Sequence, residues 1–283
     1  VSETLLKPDG VTIVAELSCS HGGLFTNALM LIEHAKAAGA DAVKFQLFTP
    51  DDMVGVGREG PMLTAGPWAG KTLRQLYKET MTPRSWFPSL FAHARSLGLV
   101  PFSSVLSLEG VDYLETLGCC AYKIPSAEIG WLELIGKAGD TGKPVLVSTG
   151  MADVNEIREA VFADATLLYC VAAYPCPLQY ANLSQLFPDD EHDWPYWGVS
   201  DHSKSLIPPI VATAFGARLI EKHIRLPNVE TPDSGFALTP GEVAAMVQAV
   251  RDTEAAMREP TEDVEQESRQ WKRRVIDGQW LRG

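Results

Sequence analysis

Two histidines, two lysines and a scatter of serines stand at the ends of apolar runs, and through them this chain could do chemistry. His202 in WGVSDHS and His223 in ARLIEKH each close a short apolar run, with one helix's length of chain between them. That is the spacing of a strand-helix-strand unit. On neighbouring parallel strands the two imidazoles would share one sheet edge, near enough to hold a divalent metal. A lone histidine at a strand end is more often a hydrogen-bonded core group. Asp201 beside one and Glu221 two residues before the other add carboxylates that could ligate or support such a metal. His34 and His93 fall within helices and His192 in a charged loop, and all three read as structure or solvent.

Lys44 in DAVKFQ and Lys123 in AYKIPS interrupt runs that otherwise look like core strands. A buried lysine needs a partner. Each could pair with Glu16, Glu128 or Glu221 inside the fold. Alternatively, two lysines at equal strand depth beside Ser126, Ser148 and Ser200 form an anion cradle, with ammoniums for charge and hydroxyls and amides for direction. Phosphate or carboxylate is the natural guest.

The elements that must position these groups alternate from one end to the other. Strands are expected over 11–17, 41–48, 98–104, 121–124, 143–150, 166–172, 197–200 and 217–223, with helix-period segments between. The first helix carries Ala28, Leu31, Ile32, Ala35 and Ala38 on one face and stops at Gly39. Thr82-Pro83 predicts a capped helix start, with Trp86, Leu90, Phe91, Ala94 and Leu97 along one side. Ser107 predicts another cap, and Asp153/Glu156 and Thr239/Glu242 predict capping boxes. A helix from Pro208-Pro209 should bury Ile207, Ile210, Val211, Ala214 and Phe215. A Gly/Pro-rich excursion over 51–70 with a short helix at 73–79 reads as functional. Eight such units in about 250 residues match a (β/α)8 TIM barrel, whose strand C-termini form the site. Those ends present Glu16, His21, Lys44, Gln46, Ser103, Ser104, Lys123, Ser126, Ser148, Tyr174, Ser200, His202, Glu221 and His223.

A net charge of −12 argues against a nucleic-acid partner. The one basic cluster, Lys272-Arg273-Arg274, reads as a solvated tail. Five cysteines without CxxC spacing suggest reduced thiols and a cytoplasmic protein. No run is long and apolar enough for a membrane span, and the first ten residues are too polar for a signal peptide. Neither a nucleophile elbow nor a dinucleotide or P-loop fingerprint is present.

AELSCSHGG, GADAVKFQLF, YKIPSAEI, GKPVLVSTGM, LLYCVAAYP, GVSDHS and GARLIEKH, in that order, resemble the sialic acid synthase family, which condenses phosphoenolpyruvate with an N-acetylated sugar into nonulosonic acids. WAGKTLRQLYKETMTPRSW and TPDSGFALTP look closer to its pseudaminic acid branch. The resemblance implies a TIM-barrel transferase over residues 1–258 with a tail at 259–283. It implies manganese or magnesium on His202 and His223, and phosphoenolpyruvate on Lys44, Ser104, Lys123, Ser126, Ser148 and Ser200, with Gln46 and His21 nearby. Glu16, Tyr174 and Asp233 would meet an open-chain amino sugar, and Glu16 would serve proton transfer or a developing cation. Ser20 replaces the family's usual Asn, and Ala172 a usual polar residue. The family's C-terminal antifreeze-like domain, which supplies an arginine across a homodimer, is not expected within this sequence, leaving Arg58 as a candidate substitute. A metal-dependent aldolase acting on a phosphorylated sugar, and a non-catalytic sugar-phosphate-binding barrel, are the competing readings.

Overall fold

The computed structural model describes residues 4–64, 68–186, 196–259, 264, 268–269, 273–276 and 279–282. Each expected apolar run is a strand: β1 Thr12–Glu16, β2 Ala42–Leu47, β3 Val100–Val105, β4 Tyr122–Ile124, β5 Val145–Ser148, β6 Thr166–Cys170, β7 Tyr196–Asp201 and β8 Leu219–His223. They pair in parallel in chain order, and β8 returns to β1 to close an eight-stranded barrel. The (β/α)8 architecture is therefore the one observed. A buried parallel sheet needs strands apolar on both faces; Glu16, Asp201 and His223 close their strands, while Lys44 and Lys123 stand mid-strand.

Pairing in a parallel sheet puts partnered residues on the same face. Glu16 is in register with Lys44 and with His223, Ser104 with Gln46 and Lys123, and Ser200 with Cys170 and Glu221. These partnerships run around the barrel and bring one set of polar groups to its interior. The register shifts between Leu167 and Leu168 opposite β7. At Gly198, an added Cβ would lie 2.0 Å from the Leu219 carbonyl oxygen, so only glycine permits the β7–β8 approach.

Outside the barrel run α1 Phe25–Ala37, α2 Pro50–Val54, α3 Leu73–Thr80, α4 Phe87–Ser96, α5 Leu108–Thr116, α6 Leu132–Gly139, α7 Val154–Phe162, α8 Ile207–Ala214 and α9 Pro240–Ala256. The faces of α1 and α4 read from periodicity are the ones buried, through Ala28, Leu31, Ile32 and Ala35, and through Phe87, Leu90, Phe91 and Ala94. Ser107 caps α5, and the boxes at α7 and α9 form as expected. After β6 the described chain forms two short 3-10 turns, 178–180 and 183–186. The polar run 189–194 with His192 lies outside the described residues.

Two local expectations fail. Thr82 does not cap a helix: its hydroxyl bonds the His21 ring, and the chain passes through a 3-10 turn before α4 begins uncapped at Phe87. On α8 the buried residues are Pro208, Pro209, Ala212 and Thr213, while Ile207 and Phe215 are exposed. IPPIVATA is apolar nearly all round, so its period selects no face. In the excursion, capping boxes at Thr49/Asp52 and Thr72/Gln75 start α2 and α3, and an Arg74–Asp51 pair at 2.7 Å ties them together. In the segment read as a tail, β9 Arg273–Ile276 and β10 Gln279–Arg282 form an antiparallel hairpin.

Candidate active site

One wall of the barrel mouth is ionic. Lys44 Nζ stands 3.2 Å from Glu16 Oε2, 3.1 Å from Glu221 Oε1 and 3.1 Å from Ser104 Oγ. Lys123 Nζ donates to Ser148 Oγ at 2.6 Å and stands 3.7 Å from Glu221 Oε1. Ser200 Oγ donates to that same Glu221 oxygen at 2.8 Å. Every member is buried. Of the two readings open for the lysines, pairing with Glu16 and Glu221 is what the structure shows. The pairing is incomplete, however: Glu16 Oε1 and Glu221 Oε2 are buried without a hydrogen-bond partner, and Glu16 Oε2 has only the Lys44 ammonium. Such orphaned acceptors are uncommon in a folded interior.

Burial pushes the Glu16 carboxyl above its ordinary range, with Lys44 only partly opposing. Burial acts on Glu221 too, but the ammoniums of Lys123 and Lys44 outweigh it and hold that carboxyl well below the usual range. For Lys44 burial is likewise outweighed, by Glu16 and Glu221, and its pKa rises. In Lys123 burial prevails and lowers it. Burial favours the neutral form of Glu16 and the lysines favour the ionised form of Glu221, so the wall sets two lysines and their hydroxyl neighbours where an anion could be held.

The second wall is aromatic. The His202 and His223 rings lie edge to face with centroids 5.5 Å apart. Tyr174 lies against His202 at 4.1 Å, and Phe236 against His223 at 4.9 Å and Tyr174 at 5.2 Å. Each imidazole is anchored through Nδ1: His202 to the Val171 carbonyl at 3.1 Å, with Cys170 Sγ 3.7 Å away, and His223 to Asp233 Oδ2 at 3.1 Å. Burial lowers the His202 pKa to about 3, so it stays neutral. The Nε2 atom of each ring is left for a ligand. Neutral imidazoles fixed at Nδ1 by a carbonyl or carboxylate are the donor arrangement of metal sites. No group of three His, Cys, Asp or Glu metal ligands occurs among the described residues. The two imidazole Nε2 atoms are the donors these residues would offer a divalent ion.

The carboxylates expected to support the histidines do something else. Asp201, the last residue of β7, is in register with Lys222 on the outward face and pairs with it at 2.5 Å. Glu221 belongs to the ionic wall. Asp233, expected at the sugar, instead accepts from His223 and is also held by Ser18 and Cys19 of the loop after β1. His21 has both ring nitrogens occupied: Nδ1 accepts from Gly23 N–H at 2.9 Å, and Nε2 lies 3.1 Å from Thr82 Oγ1. Trp86 packs on its edge, and burial lowers its pKa to about 4, so His21 staples loops together and has no nitrogen free for substrate.

Ser126 Oγ accepts from Gly150 N–H at 3.0 Å, joining the loops after β4 and β5. Gln46 is half-buried at the mouth of β2, and Arg58 is exposed on the excursion. None of the five cysteines is in a disulfide, and burial holds the Cys170 and Cys119 thiols up at about 11. Glu128 escaped notice except as a partner for lysine. It sits in a 3-10 turn two residues after Ser126, its Oε2 is buried and unpartnered, and burial raises its carboxyl to about 7. The only signal for it in sequence is a carboxylate next to the expected anion contacts.

The family model described as NeuB family matches residues 31–262, which takes in every barrel strand after β1. The chain belongs to the NeuB family. Among its relatives, a pseudaminic acid synthase of Helicobacter pylori is 39% identical over 256 residues, 87% of this chain and 75% of that protein. One from Campylobacter jejuni serotype O:23/36 is 36% identical, over 91% of this chain and 78% of the other. The solved N-acetylneuraminic acid synthetase of Leptospira borgpetersenii superposes with a TM-score of 0.79 at 27% identity, covering 92% of this chain and 90% of that one. NeuB family membership and the barrel agree with the resemblance carried by the strand-end motifs.

Proposed function

We infer that the chain is a transferase that condenses phosphoenolpyruvate with an open-chain amino sugar to give a nonulosonic acid and phosphate. The observation that carries this is the meeting, at one barrel mouth, of a wall of lysines and hydroxyls with a wall of two histidines whose Nε2 atoms are left for a ligand. Likeness to pseudaminic acid synthases supports a pseudaminic-type acceptor.

Lys44 and Lys123, with Ser104, Ser148 and Ser200 beside them, hold the phosphate and carboxylate of phosphoenolpyruvate. Ser126 and the Gly150 amide lie at the adjoining loops. His202 and His223 would hold a divalent ion, for which nitrogen donors favour manganese over oxygen-seeking magnesium. That ion supplies Lewis acidity toward the aldehyde oxygen. The C3 carbon of phosphoenolpyruvate forms a bond to the aldehyde carbon, and the former carbonyl oxygen takes a proton and becomes a hydroxyl. Positive charge develops at C2, water adds there with loss of a proton, and the C–O bond to phosphate breaks to leave the 2-keto acid. Glu16, whose neutral form burial favours and which is in register with both Lys44 and His223, moves a proton between the two walls. Glu128 is a second proton-carrying carboxyl, with its pKa near the working pH.

Incubation of the purified protein with phosphoenolpyruvate, manganese and N-acetylated aldoses, with assay of released phosphate and of 2-keto acid, tests this. Phosphate released only with an acceptor sugar supports the synthase. No release with any sugar, or release of pyruvate instead, sinks it.

A further inference from the structure

Lys222 stands between Glu221 and His223 but on the opposite face of β8, and it is 1% exposed. An ammonium so buried must spend its donors on protein oxygens. It bonds Asp201 Oδ2 at 2.5 Å, the Ser203 carbonyl, and the Ser205 carbonyl at 3.3 Å, with Ser203 Oγ at 3.5 Å. Asp201 in turn accepts from Ser203 N–H at 2.9 Å and Ser203 Oγ at 3.0 Å, and Ser203 Oγ accepts from Ser205 N–H at 3.2 Å. Residues 201–205 are thus wound around one ammonium, as a loop is wound around a bound cation. His202 lies inside that winding. Its neighbour Asp201, the last residue of β7, is pulled outward, while the imidazole bonds the Val171 carbonyl through Nδ1 and the His202 carbonyl is held by Cys176 N–H at 3.0 Å.

We propose that Lys222 is a positioning residue for His202: from outside the barrel it fixes the exit of β7, and so keeps Nδ1 on the Val171 carbonyl and Nε2 toward the site. Lys222 touches neither substrate nor metal. The proposal rests on the reading of His202 as a metal ligand, and the two fail in different ways.

The test compares wild type, Lys222→Met, Lys222→Arg and His202→Ala. Manganese affinity is measured by calorimetry on folded protein, and the His202 tautomer by long-range proton–nitrogen NMR on metal-free protein. In wild type His202 carries its proton on Nδ1. In Lys222→Met the tautomers mix and manganese binds roughly 10–100-fold more weakly, the range for groups that support a ligand from behind. Lys222→Arg, which restores the charge, recovers most of the affinity, and phosphoenolpyruvate affinity stays at the wild-type value throughout. Wild-type tautomer and wild-type manganese affinity in folded Lys222→Met overturn the proposal. If Lys222→Met does not fold, Asp201→Asn carries the same two readouts with a smaller expected effect. Manganese binding that survives His202→Ala refutes the metal reading itself and leaves this inference without a basis.

Discussion

The two faces of β8 hold the same pair of ingredients, a lysine and a carboxylate, in opposite states. Outward, Lys222 and Asp201 are closed: the ammonium and both carboxylate oxygens have protein partners. Inward, Glu221 serves Lys44, Lys123 and Ser200 through one oxygen and leaves the other bare, next to a Glu16 whose Oε2 meets only Lys44 and whose Oε1 has no partner. A completed network fixes shape, and an incomplete one is held ready for something the protein does not itself contain. Both faces bury lysines against carboxylates, so burial and ion pairing alone would not have told structure from chemistry. The count of unmet acceptors does.

Substitutions on the inner face should therefore cost activity and spare the fold, and those on the outer face should do more to the fold. The largest effect is expected for His223→Ala, or for stripping divalent ions with a chelator: phosphate release falls to background while the thermal midpoint holds within a few degrees. Glu16→Gln comes next. It keeps the shape and removes only the titrating proton, so kcat should fall by roughly 10²–10⁴-fold, the usual span for general acid–base groups. A fall under about threefold would remove Glu16 from the proton path. Asp233→Asn should weaken manganese binding by roughly 10–100-fold through loss of the His223 anchor, leaving phosphoenolpyruvate affinity untouched. Gly198→Ala should spare the chemistry per folded molecule and lower stability by at least about 1–3 kcal/mol, as overpacking does, read from urea melts.

The smallest effect concerns pH. Glu128 has its folded pKa raised to about 7 from an ordinary 4.5. The folded state therefore holds this proton more tightly than the unfolded one, and the stability so gained is full below about 4.5 and lost as pH rises through about 7. Thermal melts between pH 5 and 8 should show wild type falling more steeply than Glu128→Gln. If Glu128 acts as an acid, the alkaline limb of the rate profile near 7 should vanish in that variant. Parallel pH dependences of wild type and variant would remove Glu128 from both accounts.

How far these assignments were legible in the sequence depends on the kind of signal. The strands were readable because Val, Ile and Leu runs end in polar residues at each exit, and α5, α7 and α9 because side chains cap them locally. The lysines stood out because a charge inside an apolar run is costly. The outward course of Asp201 was readable only in part: it follows Ser200 on β7, and adjacent strand residues face opposite sides, whereas His202 lies past the strand end. The anchoring of His223 by Asp233 was not readable. It depends on a loop ten residues on folding back, and on Ser18 and Cys19 meeting it there. Thr82 carried a sound cap signature, but His21, 61 positions away in sequence, competes for its hydroxyl in the folded chain.

The alternation along β8 gives its three consecutive residues something like a reading frame. Glu221 and His223 are spelled on one side and Lys222 on the other, and the barrel reads only the first. A deletion or insertion of a single residue between Leu219 and Glu221 would leave composition and β-propensity almost intact, yet transpose the message: an ammonium into the mouth, a carboxylate and an imidazole into the helix layer. Length at this point in the chain is thus as strongly specified as identity.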